Sequence, residues 1–245
     1  MWLSHQSKAQ KKDTLMTQPT ALELSKMLDH SLLNPTLTEA QLVEGCAVAR
    51  EFNAATAMVL PYFLPMSVDL LAGSSVVPST VIGFPHGSNT TTIKVAEAKE
   101  ALVAGAVELD MVVNISKVRN HDWSYVQADI KAVNDITHAH KAKLKVIFEN
   151  AYLSDDEKIQ LCELCAAVNV DWVKTSTGYA PTGATEADII LMRKHTPAHI
   201  QIKAAGGVRT LDAVLRMREL GCSRVGATAT KAIMDEFRTR FGATP

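Results

Sequence analysis

An aspartate and two lysines lie on predicted strands where they could act together on a carbonyl compound. In residues 107–114 the apolar side chains alternate, so Asp110 falls on the other face of the strand. The same alternation in residues 199–203 puts Lys203 on the polar face, and Lys174 ends another strand just before a Ser/Thr/Gly loop. Two lysines that lie close together and are shielded from water have lowered pKa values. The resulting free amine could form a Schiff base, and the carboxylate could move protons. A solvated strand end is the alternative interpretation for either lysine alone.

Glycines supply a second set of candidate residues. Gly206 and Gly207 follow one predicted strand, and Gly226 and Thr228 follow the next, in each case just before a helix. Backbone N–H groups at helix N-termini bind phosphate, whereas isolated glycine pairs also occur in tight turns. The residues therefore indicate a phosphate site beside a possible Schiff-base lysine, and they do not identify the substrate.

The elements that would position these residues follow a strict alternation of strand and helix. Capping-box spacings at Thr38/Gln41 and Ser154/Glu157 mark two helix starts. Eight strands, each followed by a helix, in about 250 residues predict an α/β protein with a single (β/α)8 TIM barrel. The alternative is a doubly wound open sheet. In a barrel, the loops after strands seven and eight commonly bind phosphate. The predicted strands lie near residues 27–32, 55–60, 76–83, 107–113, 143–149, 170–175, 199–204 and 223–226.

Composition limits the class of protein. The 245 residues are 47% hydrophobic and 21% charged, with a net charge of -1. This excludes a chain disordered throughout and provides no positive field for nucleic acid or an anionic membrane. Four cysteines are too few for a disulfide scaffold, so we expect a reducing, cytoplasmic location. Residues 1–20 lack a continuous apolar segment and are expected to form a disordered tail before a barrel domain over residues 21–245.

Other polar residues allow more than one interpretation. Lys145 and Glu149 share a predicted inward face, where they would either form an ion pair that positions Lys174 or simply fill the interior. Cys162 and Cys165 have a C-x-x-C spacing without a second ligand pair, and Cys165 belongs to an apolar helix face, so core packing is favoured over a metal site.

Five segments together resemble deoxyribose-phosphate aldolases. They are LDHSLL at residues 28–33, VIGFPHG at 81–87, ELDMVVN at 108–114, VKTSTG at 173–178 and IKAAGGVRT at 202–210. The last two are highly specific in combination. The resemblance implies a class I, Schiff-base-forming aldolase on an α/β barrel that needs no metal or cofactor. Its substrates would be phosphorylated sugars and aldehydes, with reversible cleavage of 2-deoxy-D-ribose 5-phosphate to acetaldehyde and D-glyceraldehyde 3-phosphate. A homodimer is also expected from the resemblance.

Site residues follow from the resemblance by position. Lys174 matches the Schiff-base lysine, Lys203 the lysine that perturbs its amine, and Asp110 the acid of the proton relay. Asp29 and Ser31 match a segment expected to support the substrate. The residues that match phosphate-site segments are Gly178, Gly206, Gly207, Val208, Arg209, Gly226 and Thr228.

The sequence departs from common patterns of these enzymes at several positions. Tyr179 and Asn34 stand where lysines are frequent, Ala229 where a hydroxyl often lies, and Met58 where a cysteine is common. Phosphate binding is therefore expected to depend more on backbone N–H groups. Two alternative functions stay open: a class I aldolase for another phosphorylated sugar, and a non-catalytic sugar-phosphate-binding barrel.

Overall fold

A computed structural model describes residues 18–242 as a closed barrel of eight parallel strands. Each strand pairs with the next in sequence, and β8 closes the barrel against β1. The predicted TIM barrel is confirmed. The strands are β1 (Leu28–Leu32), β2 (Thr56–Val59), β3 (Val77–Ile82), β4 (Glu108–Val112), β5 (Lys143–Ile147), β6 (Trp172–Lys174), β7 (Gln201–Ala205) and β8 (Arg224–Ala227).

Helices surround the barrel, and two short ones differ from the one-helix-per-strand pattern. The first, α1, precedes β1, and α5 lies between β4 and the longer α6. The described helices are α1 (Ala21–Ser25), α2 (Glu39–Glu51), α3 (Leu64–Leu71), α4 (Thr91–Val103), α5 (Ile115–Arg119), α6 (Trp123–Ala139), α7 (Asp155–Val168), α8 (Glu186–His195), α9 (Leu211–Glu219) and α10 (Thr230–Phe241).

Helix starts agree with the capping signals in the sequence. Thr38 with Gln41 and Ser154 with Glu157 form the predicted capping boxes. Thr20 forms a third with Glu23 at the start of α1. Most of the tail predicted over residues 1–20 lies outside the described residues. In the described chain, no helix is long and apolar enough to cross a membrane.

The apolar core lies between the outer faces of the strands and the helices. Cys162 and Cys165 are buried there on α7, which confirms the packing role predicted for Cys165. The barrel interior is different, because it contains a concentration of buried charged side chains. Since alternate residues of each strand point inward, the apolar and charged compartments come from the two faces of the same strands.

A buried ion pair links two of the outer helices. Lys94 of α4 donates to Asp129 of α6 at 2.6 Å and to the carbonyl of Val112 at 2.9 Å. Both charged side chains are essentially inaccessible, at 0% and 1% exposure. The hydroxyl of Thr91 donates to the other oxygen of Asp129 at 2.7 Å. This cluster fixes α4 and α6 against the end of β4.

We expect Lys94→Met to lower the free energy of unfolding by about 3–5 kcal/mol, because it leaves the Asp129 carboxylate buried without its cation. Urea unfolding followed by circular dichroism would measure the loss. The matched control is Lys131→Met, which removes the exposed Lys131–Asp135 pair on the same helix α6 and should cost less than about 1 kcal/mol. Equal losses in the two variants would contradict this account.

Candidate active site

The predicted catalytic side chains meet inside the barrel. Lys174 and Lys203 are directly paired residues of β6 and β7, and Asp110 pairs in register with Lys145 on β5. All four side chains are almost completely buried. The strand register therefore brings three lysines around one carboxylate.

Asp110 is the common partner of the three lysines. Its Oδ2 atom accepts hydrogen bonds from Lys174 Nζ at 2.7 Å and from Lys203 Nζ at 2.8 Å. Its Oδ1 atom accepts from Lys145 Nζ at 2.9 Å. Charge-assisted hydrogen bonds of this length hold the two predicted catalytic lysines at one oxygen atom.

Further charges lie beyond Asp110 in the barrel. Asp29 is 2.5 Å from Lys203 Nζ, and Glu108 is 2.5 Å from Lys145 Nζ. Arg224 of β8 joins the two carboxylates, at 2.6 Å from Asp29 and 3.0 Å from Glu108. Arg224 was not among the predicted site residues, although its place on the same face of its strand as Gly226 could have indicated it.

Of the two alternatives for Lys145 and Glu149, the ion pair between them is not formed, and Lys145 instead fills the barrel interior. Lys145 contacts Glu108 and Asp110 and lies 3.8 Å from Asp29, whereas the Glu149 carboxylate accepts hydrogen bonds from Thr177. The inward alternation fails at Glu149 because β5 ends at Ile147 and Glu149 has a left-handed backbone, with φ of 59°.

Among the interior groups that ion pairs join, the charges do not balance when every group is ionised. Three carboxylates, Asp29, Glu108 and Asp110, face four basic side chains, Lys145, Lys174, Lys203 and Arg224. Loss of one proton from a lysine would balance the set. The geometry favours Lys174 as that lysine, because its ion-pair contacts are with Asp110 alone, whereas Lys145 faces three carboxylates.

The pKa values follow this difference in surroundings. Burial lowers the pKa of Lys174 to about 8; Asp110 opposes the change and the ammonium of Lys203 adds to it. The sequence predicted a lowered pKa for this lysine, caused by burial and by a second lysine. Both causes are present, and burial is the larger. Lys145 is equally buried, but Asp110, Glu108 and Asp29 outweigh burial and raise its pKa. Two lysines in one interior are thus shifted in opposite directions.

The carboxylates of the network are held in their ionised forms. Burial alone would raise the pKa of Asp110, but Lys145, Lys174 and Lys203 hold it well below its usual range. Burial is likewise outweighed at Asp29, where Lys203, Lys145 and Arg224 lower the pKa of the carboxyl. Asp110 therefore carries a negative charge beside the amine of Lys174.

A cavity of about 1070 Å³ opens at the carboxyl ends of the strands, and Lys174 lies in its wall. Ser31 and all seven residues predicted to bind phosphate also line it: Gly178, Gly206, Gly207, Val208, Arg209, Gly226 and Thr228. Asp29, Asp110 and Lys203 are not in the wall; they are buried and reach Lys174 through the ion pairs described above. The amine is thus the part of the charged network that a ligand can contact.

Glycine is required at residue 206 by a close backbone approach at this cavity. A side chain at Gly206, which has φ of 82°, would begin 2.8 Å from the Cα atom of Gly183 in the β6–α8 loop. Glycine at this position therefore lets the two loop backbones approach each other.

The departures from the common pattern also lie near the cavity. Ala229 is the N-cap of α10 and provides no capping side chain. The N–H groups of the first turn are therefore left for a ligand to bind. Tyr179 donates from its hydroxyl to the carbonyl of Leu33 at 2.6 Å, which joins the β6–α8 loop to the end of β1. Met58 is fully buried.

In the described residues, no three His, Cys, Asp or Glu side chains are grouped so as to hold a metal ion.

Comparisons with known proteins agree with this architecture. A family model described as DeoC/LacD family aldolase matches residues 24–232. A deoxyribose-phosphate aldolase from Rhodopirellula baltica is 53% identical over 220 residues, which cover 90% of this chain and 91% of that protein.

Solved structures have the same fold. A crystal structure from Coccidioides immitis, assigned as a deoxyribose-phosphate aldolase, superposes with a TM-score of 0.86 at 36% identity, covering 91% of this chain and 88% of that one. The deoxyribose phosphate aldolase from Aeropyrum pernix, described as tetrameric, has a TM-score of 0.84 at 25% identity and covers 90% of this chain and 93% of its own. From the length and identity of these matches, the chain belongs to the DeoC/LacD family of aldolases.

Proposed function

We propose that this chain catalyses the reversible aldol cleavage of 2-deoxy-D-ribose 5-phosphate to acetaldehyde and D-glyceraldehyde 3-phosphate. The observation that carries the proposal is a buried lysine amine, with a pKa lowered to about 8, in the wall of a cavity that two glycine loops also line. The relatives named deoxyribose-phosphate aldolase support the choice of substrate.

The lowered pKa makes Lys174 a usable nucleophile near neutral pH. With a pKa of about 8, roughly a tenth of the molecules carry a free amine at pH 7, against about one in 2500 at the ordinary lysine value. The amine adds to C1 of the open-chain sugar, and loss of water gives a protonated Schiff base. This cation withdraws electrons from the neighbouring C2–C3 bond.

Cleavage then divides the sugar at C2–C3. The C3 hydroxyl loses its proton, the C2–C3 electron pair moves to C2 and forms an enamine on Lys174, and C3 becomes the aldehyde carbon of glyceraldehyde 3-phosphate. Protonation of C2 and addition of water release acetaldehyde and restore the lysine. Asp110 stabilises the positively charged Schiff base through the contact it makes with Lys174. Asp110, Lys203 and water move the protons between these steps.

The phosphate end of the substrate would lie against the loops that follow β7 and β8. Gly206 and Gly207 have φ of 82° and leave backbone N–H groups without a shielding side chain, and Arg209 provides a positive charge in the same wall. Thr228 adds a hydroxyl, and Gly178 lines the cavity from the β6–α8 loop. Ser31, in the cavity wall, would contact the substrate. Asp29 would act on the substrate indirectly, through its ion pair with Lys203.

The expected partners, location and oligomeric state can be described only in general terms. The substrates are small phosphorylated sugars and aldehydes, and the net charge of -1 gives no reason to expect a nucleic acid partner. Four buried cysteines, all without disulfide partners, fit the expected cytoplasmic location. A homodimer stays a prediction, alongside the tetramer described for the relative from Aeropyrum pernix.

Borohydride reduction in the presence of acetaldehyde should attach an ethyl group to Lys174 and inactivate the enzyme, because the Schiff base is reduced to a stable amine. Peptide mapping by mass spectrometry locates the group. Lys174→Leu should show no labelling and no cleavage of deoxyribose 5-phosphate. Labelling mainly at Lys203, or activity in Lys174→Leu, would overturn the assignment of the nucleophile.

Lys203→Leu should move the midpoint of the pH dependence of acetaldehyde trapping upward by about 1–2 pH units. Removal of this ammonium leaves three basic side chains for three carboxylates, so Lys174 keeps its proton to higher pH. Trapping should be slow at neutral pH and recover as the pH approaches the ordinary lysine pKa of about 10.4.

The matched control for this experiment is Lys131→Leu, which removes an exposed lysine of α6 and should leave the midpoint unchanged. If the Lys203→Leu midpoint equals that of the unmodified chain, Lys203 does not tune the nucleophile.

A further inference from the structure

Glu149 is a buried residue in a backbone conformation that glutamate rarely adopts. Its φ and ψ are 59° and 61°, in the left-handed region, where an ordinary side chain is strained. The other non-glycine residues of the described chain with positive φ all follow the ends of helices, where this conformation is a common way to terminate a helix. They are Asn53, His121, Lys141 and Asn169. Glu149 instead follows strand β5.

The left-handed turn directs the Glu149 carboxylate at the loop that follows Lys174. The side chain is 2% exposed, and its two oxygens accept from the backbone N–H of Thr177 at 3.2 and 3.4 Å. The Thr177 hydroxyl donates to the same carboxylate. The Thr177 hydroxyl oxygen in turn accepts from the N–H of Tyr179 at 3.0 Å. Residues 177–179 are therefore held by one buried acid.

The backbone on either side of Glu149 is bonded to the chain around the nucleophile. The N–H of Phe148 donates to the carbonyl of Lys174 at 2.9 Å, and the N–H of Asn150 donates to the carbonyl of Thr175 at 3.0 Å. Glu149 thus lies between two hydrogen bonds to the residues from which the Lys174 side chain emerges. A shift of this turn would displace Lys174 and the cavity wall formed by Thr177 and Gly178.

Two unfavourable features coincide at this residue. Its backbone is in the left-handed region, which glycine would occupy without strain. Burial raises the pKa of its carboxyl, although the hydrogen bonds from Thr177 and the charge of Lys174 oppose the change. Strain of this kind persists where the surrounding structure imposes it, and it concentrates at functional sites. A role in stability alone would be served better by glycine or asparagine at this position.

We propose that Glu149 is a positioning residue of the aldol reaction, whose carboxylate holds Thr177 so that Lys174 and the β6–α8 loop keep the geometry needed for attack on the carbonyl carbon. This proposal rests on the proposed function, since it names a residue that acts through Lys174. It assigns the strained turn after β5 to catalysis and not to the stability of the barrel.

The proposal is tested by measuring both the activity and the thermal stability of Glu149→Gly, because a positioning role predicts that activity falls while stability is kept. Glycine relieves the left-handed strain and removes the carboxylate, so the melting temperature should stay within about 4 °C of the unmodified chain. In contrast, kcat for cleavage of deoxyribose 5-phosphate should fall by about 10²-fold, because displacement of a reacting group by about 1 Å has an effect of this size. KM should change by less than about threefold, because the variant leaves untouched the phosphate loops after β7 and β8, which hold the substrate equally in the ground state and the transition state.

Two further variants identify the cause of the loss. Glu149→Gln keeps the length of the side chain and an oxygen acceptor, so it should retain activity within about tenfold of the unmodified chain. The matched control is Lys141→Gly, which relieves a left-handed residue with φ of 58° at the exposed end of α6. It should leave kcat unchanged.

Thr177→Val tests the same contact from the other side. It should lower kcat, and the double variant with Glu149→Gly should be no slower than the slower single variant, since the two residues act through one interaction. If Glu149→Gly does not fold, the proposal is decided by Thr177→Val: an unchanged kcat overturns it.

Other outcomes are equally decisive. Unchanged kcat in a folded Glu149→Gly variant, or a loss of kcat that merely follows a loss of folded protein, overturns the positioning role. The unmodified chain is assayed beside each variant for cleavage of deoxyribose 5-phosphate and for labelling of Lys174. Failure of the unmodified chain in those assays would refute the proposed function, whereas normal activity with an unaffected variant would refute only the role of Glu149.

Discussion

The imbalance of charge around Asp110 is the constraint on which the site depends. Four basic side chains and three carboxylates are enclosed in the barrel, and burial makes the uncompensated positive charge unfavourable. Lys174 is in contact with the fewest carboxylates and also reaches the cavity, so it is the group that most readily gives up a proton. The chemistry of the amine is therefore a property of the whole network and not of Lys174 alone.

The barrel produces this network through strand register. Adjacent strands pair Lys174 with Lys203 and Asp110 with Lys145, and β8 places Arg224 beside Lys203. Because the strands are tilted in a closed barrel, inward side chains of different strands form layers, and groups far apart in sequence meet. The outer faces of the same strands supply the apolar core, so the stability of the fold and the polarity of its interior arise from one alternating pattern.

Much of this could be predicted from the sequence. Alternation of apolar residues indicated that Asp110 and Lys203 point inward, and the glycine loops were correctly expected to lie together, since they line one cavity. Contacts across the barrel could not be predicted in the same way, because they depend on register and tilt, which alternation within one strand does not determine. The ion pairs of Arg224 with Asp29 and Glu108 are contacts of this kind. The inward orientation predicted for Glu149 was wrong for a local reason: alternation holds only while the chain is extended, and the left-handed backbone at Glu149 ends it.

The account can be tested most directly by measuring the pKa of Lys174 itself. Protein labelled with ¹³C-lysine can be titrated by NMR, with the Lys174 signal assigned by its absence from Lys174→Leu. We expect a midpoint at about 8 for Lys174. Lys145, which faces three carboxylates, should keep its proton throughout the same range. A Lys174 midpoint at or above the ordinary lysine pKa of about 10.4 would contradict the claim that the barrel interior releases a proton from this lysine.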